Sequence, residues 1–334
     1  MEAEALDSKI IAFVAKKNGL KELPEAKRFL SGVVNRVYGL GNEYILKIEG
    51  DSEFGPQHEL LKPVPDLTAQ LLAKGAKVPK ILDFDSVDGK PYILMEKVRG
   101  NNLADDWMSF GDTKKEKLIA QLAEQLQIWH SISFDSYCIP IVAEKRYQNL
   151  RAAIEKPIVK EVRLLQKEKL PKELLVNVEV LEKYYHDHIA SLDEIGTAVL
   201  THSDIHLENI FYEGDRLTGI IDLDWVAQAP KDFELWKILD TFHDPLYTVE
   251  GRLESLYEGY QMTRELDWLK KYYPALFETK KLVERVKLYY LDPLLETIVD
   301  YQNGLWRKRA FSKVMDKVRD FYQNSWLDEV LKSH

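Results

Sequence analysis

Cysteine is nearly absent from this chain: Cys138 is the only thiol in 334 residues. A lone thiol excludes an intramolecular disulfide and supplies too little for a thiolate metal site, so Cys138 reads as a small packed side chain. Long apolar runs are missing as well. The longest near the start, IIAFVA, is far too short to span a bilayer, and the opening MEAEALDSK is acidic where a secretory leader would be basic. A cytoplasmic location with no membrane partner is the expectation. Positive charge is also short, with 46 Lys and Arg against 55 Asp and Glu and a net charge of -9, which disfavours nucleic acid as a partner. No polar low-complexity segment and no internal repeat is visible, so neither a disordered tether nor a solenoid is expected.

What is present is ordinary for a folded chain: 45% hydrophobic and 30% charged residues, enough for one large domain or two smaller ones. Residues 5–18 place apolar side chains at helical spacing until Gly19 and Pro24 break the pattern. From Phe29 to Val98 the texture becomes β-rich, with NRVYGL, EYILKIEG, KILDFDSV and KPYILMEKV separated by turn residues. Within it, PDLTAQLLAKGAKVP has a proline start, an apolar stripe and a stop at Gly75, which predicts one helix inserted among antiparallel strands. Beyond VRGNNL the sequence is helical in long amphipathic stretches at 113–131, 145–168, 173–192, 232–242, 251–261 and 279–302. One interruption reads as β: NIFYEGDRLTGIIDLDW, two strand-like runs around EGDR, predicts a hairpin. The expected class is α+β, with a small antiparallel-sheet lobe over 1–98 and a mainly helical lobe over 99–334 that carries the hairpin.

The chemistry concentrates in HSDIHLENI, residues 202–210. If Tyr212 pairs with Leu217, Asn209 faces Ile220, and Asp222 lies just beyond at the open end of the hairpin, where the loop carrying Asp204 also arrives. An amide and a carboxylate then converge beside a second carboxylate. Mg²⁺ suits such a site, because it takes oxygen ligands, keeps several waters and borrows further ligands from phosphate. The same residues support a rival, a di-metal hydrolase in which His202, Asp204, His206 and Asp222 ligate Zn²⁺ or Mn²⁺. A catalytically silent nucleotide-binding module is a third possibility.

HSDIHLEN resembles the H-G-D-x-x-x-x-N catalytic loop of the aminoglycoside phosphotransferase and choline kinase group, and GIIDLDW resembles their metal-binding segment. The resemblance implies a bilobal protein-kinase-like fold and transfer of the γ-phosphoryl group of ATP or GTP to a hydroxyl of a small polar molecule such as an aminoglycoside or amino sugar. It implies that Asp204 accepts or orients the hydroxyl proton, that Asn209 and Asp222 bind Mg²⁺ with Asp224 nearby, and that His202 braces the loop. Ser203 stands where the family has glycine.

In the first lobe, FLSGVVNRVYGLGNEYILKIEG resembles the nucleotide loop and following strand of that family. It implies phosphate contacts from the backbone of Ser31, Gly32 and Val33 and from Lys47, a lysine in an apolar run that must meet an anion if buried. Its acidic partner is expected at Glu59, with Asp66 the alternative. PYILMEKVRG resembles the hinge, which implies that Met95 backs the base while the Glu96 carbonyl and Val98 N–H read its edge. The acceptor is expected against helices downstream of Asp224, where Asp240, Glu296, Asp300 and Tyr301 lie among aromatics that suit sugars or amines.

Overall fold

The computed structural model describes residues 2–20, 26–29, 35–50, 61–141, 145–165, 167, 172–193, 196–245, 253–302, 315–324 and 326–332. In chain order the elements are α1 (Glu2–Lys17), β1 (Ala26–Phe29), β2 (Arg36–Leu40), β3 (Tyr44–Ile48), α2 (Val64–Ala73), β4 (Ile81–Val87), β5 (Lys90–Glu96) and β6 (Asn101–Asn102). There follow α3 (Leu103–Asp106), α4 (Asp112–His130), β7 (Ser133–Phe134), α5 (Leu150–Leu165), α6 (Lys172–His188), β8 (Ala198–Thr201), β9 (Ile210–Glu213), β10 (Arg216–Ile220) and β11 (Ala227–Ala229). The remainder is helical: α7 (Leu235–His243), α8 (Glu254–Tyr257), α9 (Thr263–Tyr272), α10 (Leu282–Gln302) and α11 (Trp326–Lys332). The chain divides into two compact units, one of residues 1–128, 206–225 and 246–258 and one of residues 129–205, 226–245 and 259–334.

The first unit is built on an antiparallel sheet in the order β1-β2-β3-β5-β4. Strand alternation puts Tyr38, Leu40, Leu46, Ile48, Tyr92 and Leu94 on one face, where Ile10, Ile11 and Val14 of α1 cover them. Polar clamps hold α1 there: Asp7, buried, accepts from Arg36 Nε at 2.8 Å and from the Tyr38 hydroxyl at 2.6 Å, and Lys17 reaches Asp83 and Asp85 at 2.8 Å each. The β4–β5 turn takes positive φ at both Asp88 (52°) and Gly89 (77°), the backbone sense that matches the twist of a two-residue hairpin. Helix α2 ends as its sequence predicts, with Gly75 at φ 84° and the Ala76 N–H returning to the Leu71 carbonyl at 2.9 Å.

One strand of this sheet escapes the sequence pattern. β1, AKRF, is exposed along its whole length and half of its residues are basic, so it carries no apolar alternation; an edge strand with lysine and arginine is protected against pairing with other chains. A second sheet, β10-β9-β6, contains the predicted hairpin, held by the Lys77 side chain on the Leu217 carbonyl (2.6 Å) and by the Ile220 N–H on the Lys77 carbonyl (2.8 Å).

The second unit is mainly helical, but the hairpin is not the sole β element beyond residue 98: a further sheet, β11-β8-β7, lies in this unit. Its strands have two to four residues, too few to display a period of two, and β8 (AVLT) is buried at every position. Helix α10 packs on α5 and α6. Arg285, 1% exposed, donates to both oxygens of Asp232, whose Oδ2 also accepts from the Tyr289 hydroxyl at 2.9 Å, so a buried charge pair fixes α10 to the segment just before α7.

Candidate active site

In the first unit, Lys47 occupies the middle of β3, in register between Val37 and Ile93, on the face away from α1. Burial alone would push its ammonium pKa down, but the charges of Asp222 and then Asp224 more than offset this and raise it above the usual lysine range. Nζ lies 2.8 Å from Asp222 Oδ1 and 2.5 Å from Asp224 Oδ2. Asn35 donates to the same Asp224 oxygen at 2.8 Å. Burial pushes the Asp224 carboxyl up, opposed by Lys47 and reinforced by the charge of Asp222. The two carboxylates differ in access: the Asp222 side chain is 39% exposed, that of Asp224 only 8%. One ammonium between two carboxylates leaves a net negative charge, with the accessible share of it on Asp222.

The hairpin delivers Asp222 by a bulge. Tyr212 does face Leu217 as expected, but Thr218 is extra, so Gly219 pairs with Phe211 and Ile220 with Ile210. The Asn209 carbonyl consequently accepts from the Ile221 N–H at 2.9 Å, one residue later than the unbulged register with Ile220 predicts. Asp222 follows immediately with φ 68°, a left-handed conformation uncommon outside glycine. Asn209 is 6% exposed and its Nδ2 lies 2.9 Å from His206 Nε2, which aims its carbonyl oxygen away from the imidazole. Asn102 Nδ2 donates to the Glu208 carbonyl at 2.5 Å, tying this turn to β6.

In the second unit the loop after β8 is held by one carboxylate. Glu234, with no exposed surface, accepts from the His202 N–H at 2.8 Å and the Ser203 N–H at 2.9 Å. Ser203 takes φ 65°, so serine accepts here the left-handed backbone for which glycine is the usual choice, and its hydroxyl meets that of Thr201 at 2.9 Å. Behind Glu234 a chain of donors continues. His130 Nε2 approaches at 3.5 Å, and the Tyr273 hydroxyl lies 2.9 Å from Nδ1. Burial, then the charge of Glu234, push the Tyr273 pKa up to about 12, so the phenol keeps its proton at neutral pH. His202 is fully buried against Trp129, at 5.1 Å between ring centroids, and its Nδ1 accepts from the Asp204 N–H at 3.3 Å. The Asp204 carboxylate is half-buried, with Lys237 Nζ 3.0 Å from Oδ1.

The remaining expected residues are scattered in standing. Met95 and Val98 are half-buried and Glu96 exposed at the end of β5. Val98 also packs over Gly219, where an added Cβ would come within 2.6 Å of its methyl. Asp66 is exposed in the first turn of α2, and Lys47 meets Asp222 and Asp224 within this unit. Ser31, Gly32, Val33 and Glu59 lie outside the described residues, as do the side chains of Asp300 and Tyr301 in the last turn of α10. Glu296 is exposed on α10. Asp240 departs from the expectation of a carboxylate open to an acceptor: it is 1% exposed and bound by Lys317 and the Tyr290 hydroxyl. Glu234, Lys237, Asn35 and Asn102 carry no role in the sequence reading. Glu234 left one faint signal, a charge flanked by Phe233 and Leu235 in a stretch that must be buried to pack.

The amide of Asn209 and the carboxylate of Asp222 are hard oxygen donors of the kind Mg²⁺ takes, and two protein ligands are what that ion uses when phosphates and waters complete its shell. Among the described residues no three His, Cys, Asp or Glu side chains are grouped to hold a metal, and the imidazoles of His202 and His206 are turned to Asp204 N–H and Asn209 respectively. A sheet carrying a buried lysine, a hairpin presenting Asn and Asp, and an H-x-D loop define the kinase-like class of phosphoryl-transfer proteins. The chain belongs to the phosphotransferase enzyme family APH, which matches residues 25–272. No curated protein matches the sequence. Solved structures give the same fold at low identity. The GDP complex of aminoglycoside 2'-phosphotransferase-IIIa aligns with TM-score 0.67 and 16% identity over 96% of this chain and 98% of that one. The streptomycin–ATP complex of APH(2")-IIa aligns at 0.65 and 16% over 95% and 98%, and a thermostable mutant of APH(4)-Ia at 0.64 and 14% over 96% and 98%. The fold is therefore α+β and protein-kinase-like.

Proposed function

We propose that this phosphotransferase moves the γ-phosphoryl group of ATP or GTP to a hydroxyl of a small polar molecule, with residues 1–98 holding the nucleotide and residues 99–334 the catalytic loop and acceptor. Mg²⁺, held by Asn209 and Asp222, would neutralise charge on the phosphates. The observation that carries the reading is the set Asn35, Asp224, Lys47 and Asp222. A buried ammonium shared by an inaccessible and an accessible carboxylate is a cation held in place for a polyanion, with Asp224 keeping it oriented when Asp222 turns to a metal. In the reaction the acceptor oxygen forms a bond to the γ-phosphorus, the bond to the nucleoside diphosphate oxygen breaks, and the hydroxyl proton passes to Asp204. Most of the acceleration is positioning and charge neutralisation. Ser31, Gly32 and Val33 would approach the phosphates by their backbone, Glu59 would face Lys47, and Met95, Glu96 and Val98 would line the base. Aminoglycosides and amino sugars are the acceptors that the structural relatives suggest, with Glu296, Asp300 and Tyr301 toward them.

Asp204→Asn is expected to lower transfer by about 10² to 10⁴-fold while Mg-ATP still raises the unfolding temperature. Unchanged turnover would remove Asp204 from this role. Asp222→Ala should lose nucleotide affinity in the presence of Mg²⁺ far more than in EDTA, which calorimetry measures directly. A variant that binds Mg-ATP as tightly as the parent would show that the metal is held elsewhere.

A further inference from the structure

The charges around Asp204 bear on which alcohol it serves. Asp204 and Asp240 are two carboxylates among the described residues of the second unit that an ammonium-bearing acceptor would seek, and lysines of the chain already hold both. Lys237 Nζ lies 3.0 Å from Asp204 Oδ1, its side chain 12% exposed and its ammonium 5.7 Å from the Trp236 ring centroid. One turn further along α7, Asp240 is buried with Lys317, itself 4% exposed, and accepts from the Tyr290 hydroxyl at 2.5 Å. Lys317 also lies 5.5 Å from the Tyr290 ring, so its ammonium is enclosed by a carboxylate and an aromatic face. An amine entering beside Asp204 would meet the like charge of Lys237, and to reach Asp240 it would have to expel a buried lysine. An anion entering there meets the ammonium of Lys237, whose side chain is 12% exposed.

We infer that the acceptor is an alcohol carrying an anionic group close to its reactive hydroxyl, a carboxylate or a phosphate ester, and that Lys237 binds this group. The inference rests on the phosphotransferase reading but departs from the aminoglycoside and amino-sugar acceptors that the structural relatives suggest, putting acids in their place. On binding, the anion takes over Lys237, and Asp204 is released from its resting ion pair to accept the hydroxyl. Lysine at position 237 thus acts as a gate on charge: it favours acids, tolerates neutral alcohols and repels amines.

The test is a matched panel assayed for Mg-ATP consumption and product: glycerate, glycerol 3-phosphate, glycerol and 2-amino-1,3-propanediol; gluconate, glucose and glucosamine; and kanamycin. The expected result is a kcat/KM for at least one acid about tenfold or more above its neutral and amino counterparts. The two glycerol-derived anions decide between carboxylate and phosphate. Lys237→Glu should reverse the order and Lys237→Arg should keep it. Faster turnover of glucosamine, 2-amino-1,3-propanediol or kanamycin than of the matched acids, or an order unchanged in Lys237→Glu, would overturn the inference. If no member is phosphorylated, the same panel is read by unfolding temperature with Mg-AMP-PNP present. Stabilisation by acids that Lys237→Glu abolishes supports the inference, whereas stabilisation by amines, or by none, overturns it. Mg-AMP-PNP alone provides the separate check on the phosphotransferase reading. If it fails to stabilise the parent chain, both readings fall, and this is seen before any alcohol is added.

Discussion

A single buried carboxylate, Glu234, sets the backbone of the loop that carries Asp204. It receives two main-chain N–H groups through its two oxygens, and on the far side it faces the His130 and Tyr273 relay. Glu234→Gln preserves the volume but puts an NH₂ donor against one of those N–H groups, leaving two donors face to face. The expected result is a kcat lowered about 10- to 100-fold with the nucleotide KM unchanged, because the loop shifts but the Lys47 cluster does not. Steady-state kinetics check this, and a variant with parental kcat would show that Ser203 at φ 65° holds without the clamp. The stability loss should be of the order of 1–3 kcal/mol, measured by urea unfolding, as for a buried donor left unpaired.

Among the elements, the connector after β5 is the most sterically determined. Gly100 has φ 90°, and a Cβ built there would stand 2.0 Å from the Tyr212 carbonyl oxygen, so β9 approaches the connector as closely as a glycine allows. Gly100→Ala must either break the β6–β9 pairing or push the hairpin away, which also moves Asn209. The expected outcome is a drop in stability of about 2 kcal/mol or more with weakened Mg-ATP binding, read by thermal unfolding with and without nucleotide. Alanine at Gly111, where a Cβ meets nothing within 4 Å but the N-cap of α4 is weakened, is the matched control and should cost about 1 kcal/mol or less with Mg-ATP binding unchanged. The sequence makes Gly100 legible as punctuation after a strand, but the contact that needs it is 112 positions away and leaves no local trace.

For the whole molecule, pH dependence has a defined sign. Asp292 of α10 is pushed up to about 7, first by burial and then by the charges of Glu296 and Glu161, against the opposing pull of Lys160. In the unfolded chain an aspartate loses its proton near pH 4, so between about 4 and 7 the folded chain holds the extra proton. Stability should therefore fall as pH rises through that window, by up to about 1.4 kcal/mol per pH unit from this group. Asp292→Asn should flatten the slope between pH 5 and pH 7 in urea unfolding; an identical slope in both chains would assign the dependence to other groups. At this scale the sequence was most readable. Helical and strand periodicity located the main sheet, the inserted helix and helices α4, α5, α6, α7 and α10, whereas the described part of 251–261 is helical only at Glu254–Tyr257 and α9 fell outside the expected stretches; the spacing of Asp204, Asn209 and Asp222 carried the family resemblance. What stayed hidden was whatever depends on contacts distant in sequence: the Asp7 clamp on Arg36 and Tyr38, the exposed edge strand at 26–29, and the lysines that neutralise Asp204 and Asp240. A lysine reads the same in sequence whether it is solvated or seated on a carboxylate.

The extra residue at Thr218 shifts the phase of everything after it on its strand. A change in loop length at the Gly214 tip can be absorbed where the chain reverses, whereas closing the bulge with every residue kept would set Ile220 opposite Asn209 and hand the place of a carboxylate to Ile221. Residues added at the tip are thus expected to leave Asp222 in place, while any change in the count from the bulge to Asp222 moves it.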